Sequence, residues 1–484
     1  MRFKATVVLS FVLILLGVYL YSVELPGEKK KKEAELQEKR LYSFSQSTIT
    51  HLAIQQAKGE AIEFSYEPTH PDHPWRITRP VETLGNDAAL SALLSQLGSL
   101  EASRMVEEKP EEKSEALKEF GLDPPAYLVT MTINQVDTEI LEIGSESLTG
   151  SEVYVRKGMG TPIYLAPASI KKALQKDLTG WRQQTLFTFA PADVKRIRIE
   201  SPRRQMELSR EGNGWEIKQP IAAKGDPNEI SNLMGSLSSL RGEDFIDDRK
   251  EERKQRFGPH ALKVSLLVGS VEWEALFYEA PKEPQTLYAM TTPLAPIYKI
   301  NREAIRFLEE PVSTYRDKRL IDLTDPSQVE QITVEGKGGK MALAMVLEKK
   351  EGVWSIQAQG EGESPKKPAS MEKVNAFLFD LTDLRVDRFP EGPPPALARV
   401  GLSEGPENGA TTGPEWSVRL KGKEGKVIGE LSFGRTEGGL IYAKSSNQPT
   451  PVLLKKEEVE RIKGSAEKTL TADPPPPTTE PKKK

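Results

Sequence analysis

The sequence predicts an α+β protein: an N-terminal transmembrane helix followed by three tandem repeats, each mainly antiparallel sheet with one amphipathic helix. Three observations carry this. Residues Ala5 to Val23 form nineteen consecutive uncharged, mostly apolar positions. Trp75, Trp215 and Trp354 recur at offsets of 140 and 139, the first in Pro-Trp-Arg-Ile-Thr-Arg-Pro, the second in Gly-Trp-Glu-Ile-Lys-Gln-Pro and the third in Val-Trp-Ser-Ile-Gln. Behind each Trp stands the same helical spacing of apolar residues, and a tandem period of this kind marks a repeat architecture.

The 484 residues carry 67 Lys and Arg against 71 Asp and Glu. That mildly acidic balance argues against a nucleic-acid binder, which neutralises phosphates with clustered cations. A hydrophobic fraction of 37% is enough to build cores in a chain this long. The absence of cysteine excludes disulfides, thiolate nucleophiles, Cys-ligated metals and a lipidated N-terminal Cys.

Taken in order, residues 1–24 read as the anchor. Nineteen helical residues span roughly 28 Å, close to the hydrocarbon thickness of a bilayer. A cleaved signal peptide has a shorter apolar core and a small-x-small site. Here the run passes into Glu24-Leu25-Pro26-Gly27 instead. Arg2 and Lys4 favour an N-terminus inside the cell, against Lys29 to Lys32 on the other flank. Weighting the short basic tail places the body outside the cytoplasm, on the periplasmic side of a bacterial inner membrane. Residues 25–40 are a charged spacer.

Repeat one is assigned to residues 41–180, repeat two to 181–314 and repeat three, divergent and with loop insertions, to 315–467. The helix stripes are Leu90, Leu93, Leu94, Leu97, Leu100; then Ile230, Leu233, Met234, Leu237, Leu240; then Val374, Phe377, Leu378, Leu381, Leu384. Their shared increments of 3, 1, 3 and 3 are one face of an amphipathic helix. Asn86 is placed to cap the first helix, and Asp226-Pro227 reads as N-cap plus first-turn proline for the second.

Strand signals precede each helix at Ile49, Leu52, Ile54, at Val194, Ile197, Ile199 and at Val329, Ile332, Val334. After it, turns are expected at Phe120-Gly121-Leu122, Phe257-Gly258-Pro259 and Val400-Gly401-Leu402. Tyr154 and Tyr164 match Tyr288 and Tyr298, and the third copy keeps Tyr442 with Leu453 at the second place. Short helices are expected at Ala168 to Lys176 and Arg302 to Leu308. The junctions recur as well: Trp181-Arg182 precedes Leu186, as Tyr315-Arg316 precedes Leu320. Residues 468–484 form a Pro/Lys tail expected to be disordered.

These features together, with the Phe-Gly-Leu-Asp-Pro-Pro turn at 120–125 and the Tyr-Arg-Asp-Lys-Arg-Leu junction at 315–320, resemble the bacterial family called domain of unknown function 4340. The resemblance covers residues 1 to 467 and is strongest in the first two repeats. Repeat three departs from it, lacking the proline after Trp354. It implies a membrane-anchored protein, often encoded beside ABC-type export components similar to gliding-motility transport systems. It supplies no catalytic residues.

The residues themselves name no catalytic, cofactor or metal site. His70 and His73 with Asp72 offer metal-ligand atoms, but neither His recurs in the other repeats, and a polar proline-rich hairpin loop is the preferred reading. Gly336-Lys-Gly-Gly-Lys340 has the wrong spacing for a phosphate loop and reads as a hairpin turn. The repeated Trp residues are assigned to cores rather than to sugar stacking. For Arg182 and Arg316 two readings stand, binding of an anionic partner and, preferred, capping of a carbonyl or pairing with a local carboxylate at the seam between repeats. The expected function is a non-enzymatic, membrane-anchored extracytoplasmic interaction module. Its expected partners are a membrane complex, an ABC transporter permease and ATPase, and the bilayer through residues 5–23, with no nucleic acid. The alternative is an envelope glycan- or lipid-binding protein or hydrolase with a cleft between repeats.

Overall fold

The computed structural model describes residues 39–470, apart from 69–73, 111–114, 248–259, 281, 293–295, 324, 337–343, 361, 364, 404–405, 408–409 and 412. The apolar segment 5–23, the spacer cations Lys29 to Lys32 and residues 471–484 lie outside the described residues, while residues 468–470, assigned to the tail, instead end a helix that begins at Lys456. Among those described, no helix is long and apolar enough to cross a membrane.

The first sheet uses β1 (Ile49–Gln56), β2 (Ile62–Tyr66), β3 (Trp75–Arg79), β4 (Thr83–Leu84), β5 (Arg104–Glu107), β6 (Tyr127–Ile133), β7 (Asp137–Glu146), β8 (Glu152–Arg156) and β9 (Ile163–Pro167). Its order is β4-β3-β2-β1-β6-β7-β8-β9-β5, with antiparallel pairing throughout. Helix α1 (Asp87–Gly98) therefore leaves one edge of the sheet and delivers the chain to the other. Three short helices, α2 (Ala116–Glu119), α3 (Ser169–Leu174) and α4 (Leu178–Trp181), complete the repeat.

The second sheet repeats that order one period on. Its strands are β10 (Val194–Ser201), β11 (Arg204–Glu211), β12 (Gly214–Gln219), β13 (Ala223–Lys224), β14 (Asp244–Ile246), β15 (Leu262–Val268), β16 (Val271–Glu279), β17 (Thr286–Thr292) and β18 (Ile297–Asn301). Helix α5 (Pro227–Ser239) is its counterpart of α1.

The third sheet runs through β19 (Gln331–Gly336), β20 (Ala344–Lys350), β21 (Val353–Gly360), β22 (Gly362–Glu363), β23 (Lys367–Pro368), β26 (Trp416–Lys421), β27 (Val427–Glu437), β28 (Leu440–Ser445) and β29 (Val452–Lys455), with the hairpin β24 (Pro406–Glu407) and β25 (Ala410–Thr411) apart from it. Helices α6 (Met371–Asp383) and α7 (Lys456–Leu470) belong to it. The chain forms two compact units, one of residues up to Arg210 with Ser231–Glu310, the other of Glu211–Ile230 with the chain from Pro311 on.

The predicted core is the observed one. All fifteen residues of the helix stripes are buried. The fifth of each set (Leu100, Leu240, Leu384) lies just past its helix end, so the stripe continues into the exit turn. Asn86 caps α1 by accepting from the Ala89 N–H at 3.1 Å, and Asp226 accepts from Asn228 N–H at 2.9 Å with Pro227 as first helical residue. The strand positions spaced three and then two are buried in all three repeats. In the first two, a register shift between Ile49 and His51, and between Val194 and Arg196, inserts one extra residue. The bulge returns the next side chain to the core face, which explains a first increment of three.

One alignment needs correction. Tyr298 lies across from Ala289, and Val452, not Leu453, lies across from the corresponding Ala443. Leu453 pairs with Tyr442, and the side-chain period of two moves it to the other face. The glycine turns dock on the sheet. Gly121 and Gly401 take positive φ, and the next-strand amides of Ser145 and Arg435 donate to Phe120 O and Val400 O at 2.9 Å. A Cβ on Gly144 or Gly434 would lie 2.2 Å from those same carbonyls, so only glycine permits the approach. The Phe257-Gly258-Pro259 turn lies outside the described residues.

Candidate functional site

Trp75, Trp215 and Trp354 are 4%, 7% and 3% exposed, so none offers a ring face to a ligand. Each holds its repeat together through its own carbonyl, which accepts from Gly85, Gly225 and Ala369 respectively at 2.7–2.9 Å. His51 lies on β1 with its ring 3.9 Å from the Glu63 carboxylate on β2. His260 is exposed ahead of β15. His70, Asp72, His73 and residues 337–340 lie outside the described residues. Among the described residues no three His, Asp or Glu side chains converge as a metal site.

The side chains that do converge lie where the chain passes between repeats. After α4 it runs beside the end of β4: Asn86 N–H donates to Trp181 O at 2.8 Å, and Gln183 N–H to Leu84 O at 3.0 Å. It then runs beside the exit of α5, with Leu186 N–H on Leu240 O at 3.0 Å and Gly242 N–H on Gln184 O at 2.9 Å. The junction is thus a short strand clasped on two sides, inside the first compact unit. A groove of about 470 Å³ opens along it, lined among others by Asn86, Asp87, Gln183, Thr185, Phe189 and Arg241. Asp87 accepts from the Trp75 N–H at 3.2 Å, and Gln183 donates to Thr185 Oγ1 at 2.7 Å. Amides and hydroxyls share this lining with Phe187, Phe189 and the charged side chains of Asp87 and Arg241.

Arg182, 3% exposed, anchors this junction. Its two terminal nitrogens donate to both oxygens of Asp247 at 2.9 and 2.7 Å, and its guanidinium lies 4.9 Å from the Phe245 ring centre. This is the planar two-point seat that Arg forms with a carboxylate. The expectation that Arg182 pairs with a local carboxylate is met.

Arg316 occupies the same place at the second junction, inside the other compact unit, and is handled differently. Gly225 bridges to Arg316 as Gly85 bridges to Arg182, and Arg319 to Arg385 as Thr185 to Arg241. Arg316 lies 3.6 Å from the Phe389 ring centre, and its Nε, like that of Arg182, is buried without a hydrogen-bond partner among the described residues. No carboxylate meets it among the described residues, and burial lowers its pKa. The ionic work passes to the next residue. Asp317, 1% exposed, accepts from Arg319 Nε and Nη2, from the Arg319 N–H and from Asn447 Nδ2 at 2.8–3.2 Å. Gln448 Nε2 donates to Asp317 O at 2.5 Å. Burial opposes ionisation of Asp317, yet Arg319 and Asn447 outweigh it and hold its carboxyl below the usual carboxylate range.

Sequence reasoning found both arginines through their recurrence but missed Asp247, Asp317, Asn447 and Gln448. It also missed the buried Glu142–Arg156 ion pair across β7 and β8. Nothing in Tyr-Arg-Asp-Lys-Arg marks its acid as buried: Arg319 is at hand two residues on, but Asn447, which joins it on Asp317, lies 130 residues away. No curated protein matches the sequence. Residues 75–259, from β3 of the first repeat past α5 of the second, match the model of a family described as Domain of unknown function (DUF4340).

Proposed function

We propose that the protein is a non-enzymatic, membrane-anchored interaction module working outside the cytoplasm, as an accessory subunit of an ABC-type export or envelope complex. The observation that carries the reading is one α+β unit built three times behind an apolar run of nineteen residues. A span of that length suits a single membrane crossing, and tandem units present extended surface to protein partners. The burial of all three recurring Trp residues supports the same reading over glycan stacking, because the aromatic faces that a sugar would need are enclosed. The resemblance described above supplies the expected partners, a permease and its ATPase.

The test is crosslinking in native membranes, purification through a C-terminal tag and mass spectrometry, beside a copy whose residues 5–23 are replaced by an unrelated anchor. Recovery of a permease and ATPase with both copies assigns the contact to the repeats. Recovery with the native anchor alone assigns it to the helix. Isolation of the protein without any membrane partner overturns the proposal.

A further inference from the structure

At the second junction no carboxylate among the described residues meets the guanidinium of Arg316, which stacks on Phe389. Register fixes the correspondence: Asp244 lies across from Lys299 as Arg388 lies across from Leu453, so Phe389 matches Phe245 and Glu391 matches Asp247. At the first junction the acid closes on Arg182 in a two-point pair. At the second, Glu391 is exposed and makes no ion pair among the described residues, while Arg316 keeps only its ring contact.

The surroundings point the same way. Residues 181–185 and 241–247 hold two cations and three anions; residues 315–319 and 385–391 hold five cations and three anions. Of those anions, Asp317 is engaged by Arg319 and Asp387 lies 3.6 Å from Lys455. Val386 N–H donates to Lys318 O at 2.8 Å, which sets the two segments side by side. Arg316, Lys318 and Arg388 are all without a carboxylate partner among the described residues.

We infer that this cationic edge is a docking surface for an acidic segment of another protein, one of whose carboxylates takes on Arg316 the place that Asp247 takes on Arg182. A planar guanidinium backed by an aromatic ring discriminates for a carboxylate's two oxygens, and the flanking cations steer an acidic strand toward it. The inference stands independently of which membrane complex the protein joins.

The probe is fluorescein-labelled hexaglutamate, titrated by anisotropy against the full chain in detergent at low salt. Saturable binding that weakens with added salt is expected. Arg316→Met should weaken it about tenfold, and Arg316→Lys nearly as much, since Lys keeps the charge and loses the fork. Arg388→Gln, at an exposed position where folding is not at stake, should weaken it about threefold. Absence of saturable binding, or equal binding by Arg316→Met and Arg388→Gln, overturns the inference. So does Arg316-dependent capture by phosphatidylglycerol vesicles in place of the peptide, which assigns the edge to a lipid surface.

Discussion

The two junctions solve one problem with different residues. Each must bury an arginine between an aromatic ring and a chain crossing from one repeat to the next. The first pairs the two terminal guanidinium nitrogens with an external acid, Asp247. The second leaves Arg316 on its ring and moves the paired acid into the junction strand itself, where Asp317 is held by Arg319, Asn447 and Gln448. A recurring residue therefore marks a recurring place in the fold, and its electrostatic role depends on residues that do not recur.

The largest expected effect concerns the aromatic that precedes Arg182. Trp181 is fully buried and packs edge-on against Phe64 at 5.7 Å. Trp181→Ala should cost about 3–5 kcal/mol in urea titrations. Trp181→Phe should cost far less, because the indole N–H is buried without a hydrogen-bond partner among the described residues. Equal losses would show that the indole N–H stabilises the junction after all.

The arginines come next. Arg182→Met should destabilise by about 2 kcal/mol, below the usual cost of breaking a buried pair because Asp247 is 40% exposed and partly rehydrates. Arg316→Met should stay within about 0.5 kcal/mol or raise stability, since it removes a half-buried charge that meets no carboxylate among the described residues. A matching loss at both sites would erase the contrast.

Asp317→Asn should cost about 1–2 kcal/mol near neutral pH. Because the folded pKa of Asp317 is depressed, its contribution is complete above about pH 5 and is lost as pH falls through the carboxylate range. The difference between wild type and variant should therefore shrink in acid; a constant difference would assign the cost to packing. Asp247→Asn should cost under about 1 kcal/mol, because the exposed amide still accepts from Arg182.

A second contrast lies inside the sheets. Glu142 and Arg156 form a buried ion pair across β7 and β8, and the same cross-strand place in the second repeat holds Leu276 and Met290. A position that tolerates either an ion pair or two apolar side chains is one where desolvation and Coulomb attraction nearly cancel.

By itself the sequence determined the threefold α+β plan, the buried helix stripes, the caps at Asn86 and Asp226 and the interior place of the tryptophans. These follow from periodicity and local backbone chemistry, which are written in consecutive residues. The strand order, which joins β1 to β6 and returns β5 to the far edge, was decided in three dimensions. So were the bulges that set the spacing of Ile49 and Leu52, and the one-residue placement of Val452 against Ala443. The junction acids belong with them: Asp247 stands 65 residues from Arg182 and Asn447 stands 130 from Asp317. Pairing over such distances depends on which surfaces the packed repeats bring together, and no local pattern encodes it.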